Sequence, residues 1–411
     1  MNNEKISRKA VFPAFLLMVG IAAAVYVLMT VIQPHLTTGN LFDWMQLAGG
    51  CAEGSFFYRL MWLLIDLDQG TFMASIIGTV FLISGVAIAA HLEKKGSRHM
   101  GTGVCGAHPV IFQIICCAVA GLLLGQVIND VCGMIVGANP FASYGWVPTF
   151  AIFLSAQTLV LHFGVTPAKM ITTTVVAAII TYLCCWLCLH FVILPVGLPL
   201  FCSVSFGLIL ATPICCEILR LIPWMKSEAP APAPEVEAAA EEAPAPAPAI
   251  SETKWFIHQT FGDVGQLVVW GSSIAIILMY IGCIINWAID PMNVGYSVMN
   301  YGMMIGSQIA TAALGIFIYY PRWKKNGFTF TFGGVVFSSA VLITYPNNWL
   351  IVALSIVVGA LVVGPFIDWL MATFNKKGRY HAIFYIQLGI GICVGAFSLL
   401  VKFLLMPLLG L

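Results

Sequence analysis

Long apolar runs, broken by short charged stretches or by Gly, Pro and Asn, account for most of the chain, and the alternating pattern of barrel strands is absent. Such runs lie near 10–32, 71–91, 110–137, 147–163, 169–193, 199–220, 266–288, 293–320, 328–345, 349–371 and 381–402. About 20 apolar residues cross a bilayer as a helix, and inside lipid each backbone N–H and C=O must be satisfied within its own segment. The expected fold class is therefore an all-α polytopic membrane protein with about 11 transmembrane helices.

Composition agrees, because 60% of the 411 residues are hydrophobic and 9% are charged, well outside the soluble range. The first run follows a basic lead and is too long for a signal-peptide core, so residues 1–40 read as an anchoring helix. Residues 41–70, LFDWMQLAGGCAEGSFFYRLMWLLIDLD and its flanks, mix aromatics with scattered charge and read as an external interfacial segment.

Charge then orients the chain. With the amino terminus in the cytoplasm, every Lys and Arg except Arg59 and Lys402 falls on one side, as the positive-inside rule requires. This places the carboxyl terminus outside and suits a bacterial-type plasma (inner) membrane. The segment 227–250, rich in Ala, Pro and Glu, then lies in the cytoplasm as a disordered, semi-rigid linker.

On either side of that linker stand five predicted spans, 71–226 before it and 251–411 after it. An odd number per half inverts the second relative to the first. A shift of 182 residues pairs Gln126 with Gln308, Thr149 with Thr331, Gly207 with Gly389 and Arg220 with Lys402. The expected plan is 1 + (5+5) with inverted-topology repeats, a recurring design of secondary transporters.

Polar groups within spans mark candidate sites, since the bilayer makes them costly. Gln126, Asn129 and Asp130 share one helix face, and Asn300, Ser307, Gln308 and Thr311 sit at matching depth in the other half. These are the first candidates for solute binding or ion coupling, with Asp130 as the coupling acid. Ser155, Gln157, Thr158 and His162 in the short fourth span, Ser339 and Thr344 in the ninth, and Asp368 form a second set.

No GxxxxGK[ST], CxxCH or HExxH motif is present, and the cysteines sit mainly in apolar runs as packing residues. Neither a metal site nor a cofactor is expected, and coupling falls to Na⁺ or a proton. The near-neutral charge and lack of a basic patch argue against nucleic acid. The leading expectation is a permease for a small-molecule polar solute, in the lipid bilayer, alone, as a homo-oligomer or with a membrane partner subunit. The alternatives are a scaffold or anchor subunit of a larger complex and an intramembrane enzyme. Protease added to the cytoplasmic face of sealed vesicles is expected to cut within 227–250, and protease added to the opposite face to leave it whole.

Overall fold

The computed structural model describes residues 8–36, 44–95, 110–136, 141, 148–226, 251–265, 271–291, 300–345, 348–375 and 378–409. The linker 227–250 lies outside them. The helices are α1 (Phe12–Ile32), α2 (Trp44–Ala52), α3 (Phe56–Asp68), α4 (Ile76–Lys94), α5 (Ile111–Val136), α6 (Thr149–Phe163) and α7 (Pro167–Val196). After these come α8 (Phe201–Leu221), α9 (Glu252–Gly265), α10 (Ser273–Ile289), α11 (Tyr301–Asn326), α12 (Phe332–Thr344), α13 (Trp349–Phe374) and α14 (Ala382–Leu408). No strand occurs among the described residues, and the chain is an all-α, multi-pass membrane protein.

Each of the eleven predicted runs contains a helix, yet fewer are long enough to cross. Among the described residues, α1, α5, α7, α8, α11, α13 and α14 are 7 helices of sufficient length and apolarity. The number becomes 8 if α3 and α4, bent by 67° at their junction, form one broken span. Helices α6, α10 and α12 have 15, 17 and 13 residues. The shortfall has a local cause, clearest in the run 328–345: Phe328 to Phe330 are not helical, and the helix starts only after Thr331.

The two shortest of these helices form the centre of the bundle. Every residue from Phe332 to Leu342 in α12 is buried, as is every residue from Thr149 to Val160 in α6. By contrast α1 lies at the edge, with Leu16, Leu17, Val27, Leu28 and Val31 exposed as a lipid-facing helix requires. Its inner face rests on α11, where Gly302 and Gly306 bring the backbone against Met29 and the Ala22 carbonyl.

Small residues set the central contacts. Helix α4 packs along α10, with Gly85 on Ala275, Gly78 on Cys283, and Gly282 on Ile77 and Phe81. Numbers rise along one helix as they fall along the other, so the pair is antiparallel. Helices α8 and α14 behave alike: Ser205 meets Gly391 at mid-length, and Arg220 donates to the Arg379 carbonyl at one end. At the other end Lys402 Nζ donates to the carbonyls of Val196 (2.8 Å) and Gly197 (3.5 Å).

Contacts in one half of the chain recur in the other. Gly207 of α8 packs on Cys185 of α7, and Gly389 of α14 packs on Ile367 of α13, both members being 182 positions further on. The same interval turns Arg220 and Gly197 into Lys402 and Arg379, so the contact of α8 with the residue ahead of α14 and that of α14 with the residue ahead of α8 are counterparts.

Segment 41–70 departs from a surface placement. Helix α3 buries Trp62, Ile65, Asp66, Leu67 and Asp68, so its second half belongs to the bundle interior. A Cβ at Gly85 would stand 2.6 Å from the Ala275 Cα, whereas one at Gly20 meets nothing within 4 Å. Overpacking of this kind costs roughly 1–3 kcal/mol. Gly85→Ala is accordingly expected to lower the melting temperature of the detergent-purified protein, and Gly20→Ala to leave it unchanged.

Candidate functional site

The junction of α3 and α4 turns inside the bundle. Residues Asp66 to Ala74 are all buried, and Phe72 (φ 62°) and Ala74 (φ 49°) occupy left-handed conformations that cost a side-chain-bearing residue energy. Side chains hold this strained turn. Thr71 Oγ1 donates to the Asp68 carbonyl (2.8 Å) and to its carboxylate, and the Ser75 N–H donates to Asp68 Oδ2 (3.3 Å). Ser75 Oγ accepts from the Gly78 N–H at 2.9 Å and so caps α4.

Helix α11 supplies the remaining partners. The Tyr301 hydroxyl donates to the Met73 carbonyl at 3.1 Å, and Gln308 Nε2 donates to the Thr71 carbonyl. Tyr280 of α10 in turn donates to Gln308 Oε1 at 2.9 Å, and Gln308 Nε2 also reaches Ser339 Oγ at 3.1 Å. A broken backbone in apolar surroundings is stable only when its freed groups are met in this way.

Beside the turn lies a cavity of about 20 Å³ lined by Phe72, Phe150, Leu154, Phe201, Val204, Ser205, Leu208, Val336, Gln387 and Ile390. A water molecule fits this volume. Six of the ten lining residues form three pairs at the 182 interval: Leu154 with Val336, Ser205 with Gln387, and Leu208 with Ile390. Gln387 is 5% exposed, and both polar atoms of its amide lack a hydrogen-bond partner within the protein.

Two buried carboxyls flank the short helices. Thr149, at the amino end of α6, donates through Oγ1 to Asp66 Oδ2 and accepts from Trp62 Nε1 at 3.0 Å. Thr331, at the amino end of α12, donates to Asp263 Oδ2 at 2.6 Å, while Gln259 Nε2 donates to Asp263 Oδ1 at 2.8 Å. Asp66 and Asp263 each stand two residues before the end of their helix, and both are fully buried.

Residues expected from the sequence fall into separate places. Asp130 is part-exposed at 24% and is paired with Arg59 at 2.5 Å. Gln126 donates to the Arg59 carbonyl (3.2 Å), and Asn129 accepts from Tyr182 (3.0 Å). In the other half, Asn300 caps α11 and donates to Thr30 at 2.7 Å, while Ser307 bonds within its helix. Thr311 reaches Ser338 at 3.0 Å. Among the described residues no hydrogen bond joins the set around 126–130 to the set around 300–311.

The second set is likewise dispersed. Ser155 and Gln157 are buried in α6, where Thr158 bonds back to the Leu154 carbonyl and His162 packs edge-on against Phe163. Thr344 bonds to the Ala340 carbonyl. Asp368 pairs with Arg322 at 2.9 Å. Near the end of α8, Glu217 joins Arg220 (2.6 Å) and Arg379 (2.8 Å), and this contact pushes the Arg379 guanidinium further up from its ordinary range.

Sequence reasoning missed Asp66, Asp68, Asp263 and Gln387. The first two had been assigned to an interfacial helix, and Asp263 preceded the span drawn at 266–288. One signal was available: an acid within four residues of a glycine just ahead of a predicted span, in IDLDQG and again in FGDVG. Among the described residues no group of three or more His, Cys, Asp or Glu is placed to hold a metal ion.

Comparison with protein-family models, with curated proteins and with solved structures found no match. The site therefore stands on its own geometry. A buried amide with no partner costs about 1–3 kcal/mol, so Gln387→Leu is expected to raise the melting temperature or leave it unchanged. A fall would mean that the amide is satisfied after all.

Proposed function

We propose that this chain is a secondary transporter for a small polar solute, built from two related halves of opposite orientation and working by alternating access on a proton or Na⁺ gradient. The observation that carries this reading is the cavity whose lining falls into three residue pairs at a constant interval. A site where symmetry-related halves meet is where inverted-repeat transporters bind their cargo.

Supporting contacts point the same way. Helices α8 and α14 correspond to each other at the 182 interval, and they pack antiparallel, as counterparts do when one half is inverted. Corresponding helices would run parallel if the repeats shared one orientation. The α4 and α10 pair repeats this arrangement at an interval of 197, under which Gly85 corresponds to Gly282, Gly78 to Ala275, and Asp66 to Asp263.

A cavity of about 20 Å³ is too small for a metabolite, so in this reading the site widens to take its solute. Opening requires one half to rock or slide against the other, and glycine contacts between α4 and α10 allow such movement with little side-chain interlock. The strained turn at Phe72 lines the cavity and is tied to α11, so a solute entering there would act on the broken span directly. An unpartnered amide suits a solute that both donates and accepts hydrogen bonds. Retention of a costly polar group in an apolar wall is what a binding role would explain.

In this reading the amino terminus is cytoplasmic, the carboxyl terminus is external and the membrane is a bacterial-type plasma membrane. Uptake into proteoliposomes of a panel of radiolabelled small metabolites, under imposed proton and Na⁺ gradients, tests the proposal. Expected is gradient-driven accumulation of one solute class, reduced at least tenfold by Gln387→Leu in protein that remains folded. Absence of accumulation across a panel of amino acids, amides, sugars and nucleosides, under both gradients, would overturn it.

A further inference from the structure

Asp66 and Asp263 are the two most closely matched polar features of the molecule. At the 197 interval Trp62 corresponds to Gln259 and Asp66 to Asp263, while Thr149 corresponds to Thr331 at 182. Each carboxyl thus has a threonine hydroxyl from the amino end of a short buried helix, and a side-chain N–H donor four residues earlier on its own helix. In one half Trp62 Nε1 reaches the Thr149 hydroxyl at 3.0 Å; in the other Gln259 Nε2 reaches Asp263 directly at 2.8 Å.

Neither acid has a countercharge among the described residues. Among the described ion pairs none involves Asp66 or Asp263, and both side chains are wholly buried. Burial of this kind makes the ionised carboxylate costly and favours the acid carrying a proton or a bound cation. Asp66 Oδ1 is moreover an enclosed oxygen with no hydrogen-bond partner. Of titratable groups facing these acids, the Cys51 thiol on α2 stands near Asp66, and none is recorded beside Asp263 among the described residues.

We infer that Asp66 and Asp263 form a matched pair of proton-binding sites, one in each half, that couple the proposed transport to a proton gradient. The shell of each acid favours a proton over a metal cation. A hard cation needs several oxygen ligands, whereas here Trp62 and Gln259 present N–H groups and both threonines direct a hydroxyl hydrogen at the carboxyl. Those same donors, with the amino ends of α6 and α12, would steady the negative charge once the proton leaves. Each site therefore accommodates both states, which a carrier of protons requires. Loading or release would change the Asp–Thr bond that ties α3 or α9 to a central short helix, and this is the link to movement.

The inference rests on the transport reading, but its test does not need a substrate. Protein reconstituted in liposomes is examined by infrared difference spectroscopy between acid and alkaline buffer, where a protonated carboxyl gives a C=O band separate from carboxylate and amide. Expected is a band with one component lost in Asp66→Asn and another in Asp263→Asn, the equally buried Asp68 adding a third component that Asp68→Asn alone removes. Thr149→Val and Thr331→Val retain the acids but remove a hydrogen-bond donor, so each should move one component to higher frequency. They serve as the test if an Asn variant fails to fold. Absence of the band, its persistence undiminished in Asp66→Asn and Asp263→Asn, or its disappearance on adding Na⁺ at constant pH would overturn the proposal. If the bands behave as expected while the metabolite panel shows no uptake, the proton sites stand and the transport reading fails.

Discussion

Backbone that leaves its helix inside an apolar bundle must find partners from the protein itself, and the central architecture follows from that requirement. The turn from Asp68 to Ser75 frees carbonyls at Thr71 and Met73, and Gln308 and Tyr301 of α11 meet them. Left-handed conformations at Phe72 and Ala74 persist only because these bonds, together with the Asp68 and Thr71 contacts, over-determine the turn. Helix α11 is consequently fixed against the α3–α4 turn, and α10 is fixed against α11 through Tyr280. Polar side chains in this region are structural ties, and they stand beside the cavity.

Close approach is the other constraint. Without a hydrophobic drive between helices in lipid, association depends on van der Waals contact, and small residues bring backbones near enough for it. Gly334 and Gly359 show how near: a Cβ on Gly359 would lie 2.7 Å from the Gly334 carbonyl oxygen. Such seams hold α12 and α6 at the centre, buried over most of their length, although they are too short to cross a bilayer. Burial on all sides is what lets short segments carry threonines to acids on α3 and α9, so the packing places the polar chemistry.

Much of the architecture was legible in the chain. Apolar runs located the helices, and the shift of 182 residues paired Gly207 with Gly389. The count of crossings was not legible, because a hydropathy run does not distinguish helix from the extended residues leading into it, as at Phe328 to Phe330. Functional candidates were legible only in part. Gln308 lies at the ties around the turn, but Asp130 was chosen for its depth in a long span, and depth says nothing of a partner such as Arg59. Asp66 and Asp263 escaped notice because each sits on a helix whose mixed composition resembles a surface segment. Only the tertiary fold brings Thr149 and Thr331 to them.

One contact joins two positions 182 residues apart that carry different side chains. Ile209 and Gly391 are counterparts at the 182 interval, and they face each other across α8 and α14, a Cβ on Gly391 falling 3.1 Å from Ile209 Cδ1. Two separate, identical chains meeting there would have to place the same residue on both sides: two isoleucines would collide and two glycines would leave a gap. A single polypeptide escapes that restriction, setting a knob on one side and bare backbone on the other, and so gains a snug midline that perfect symmetry forbids.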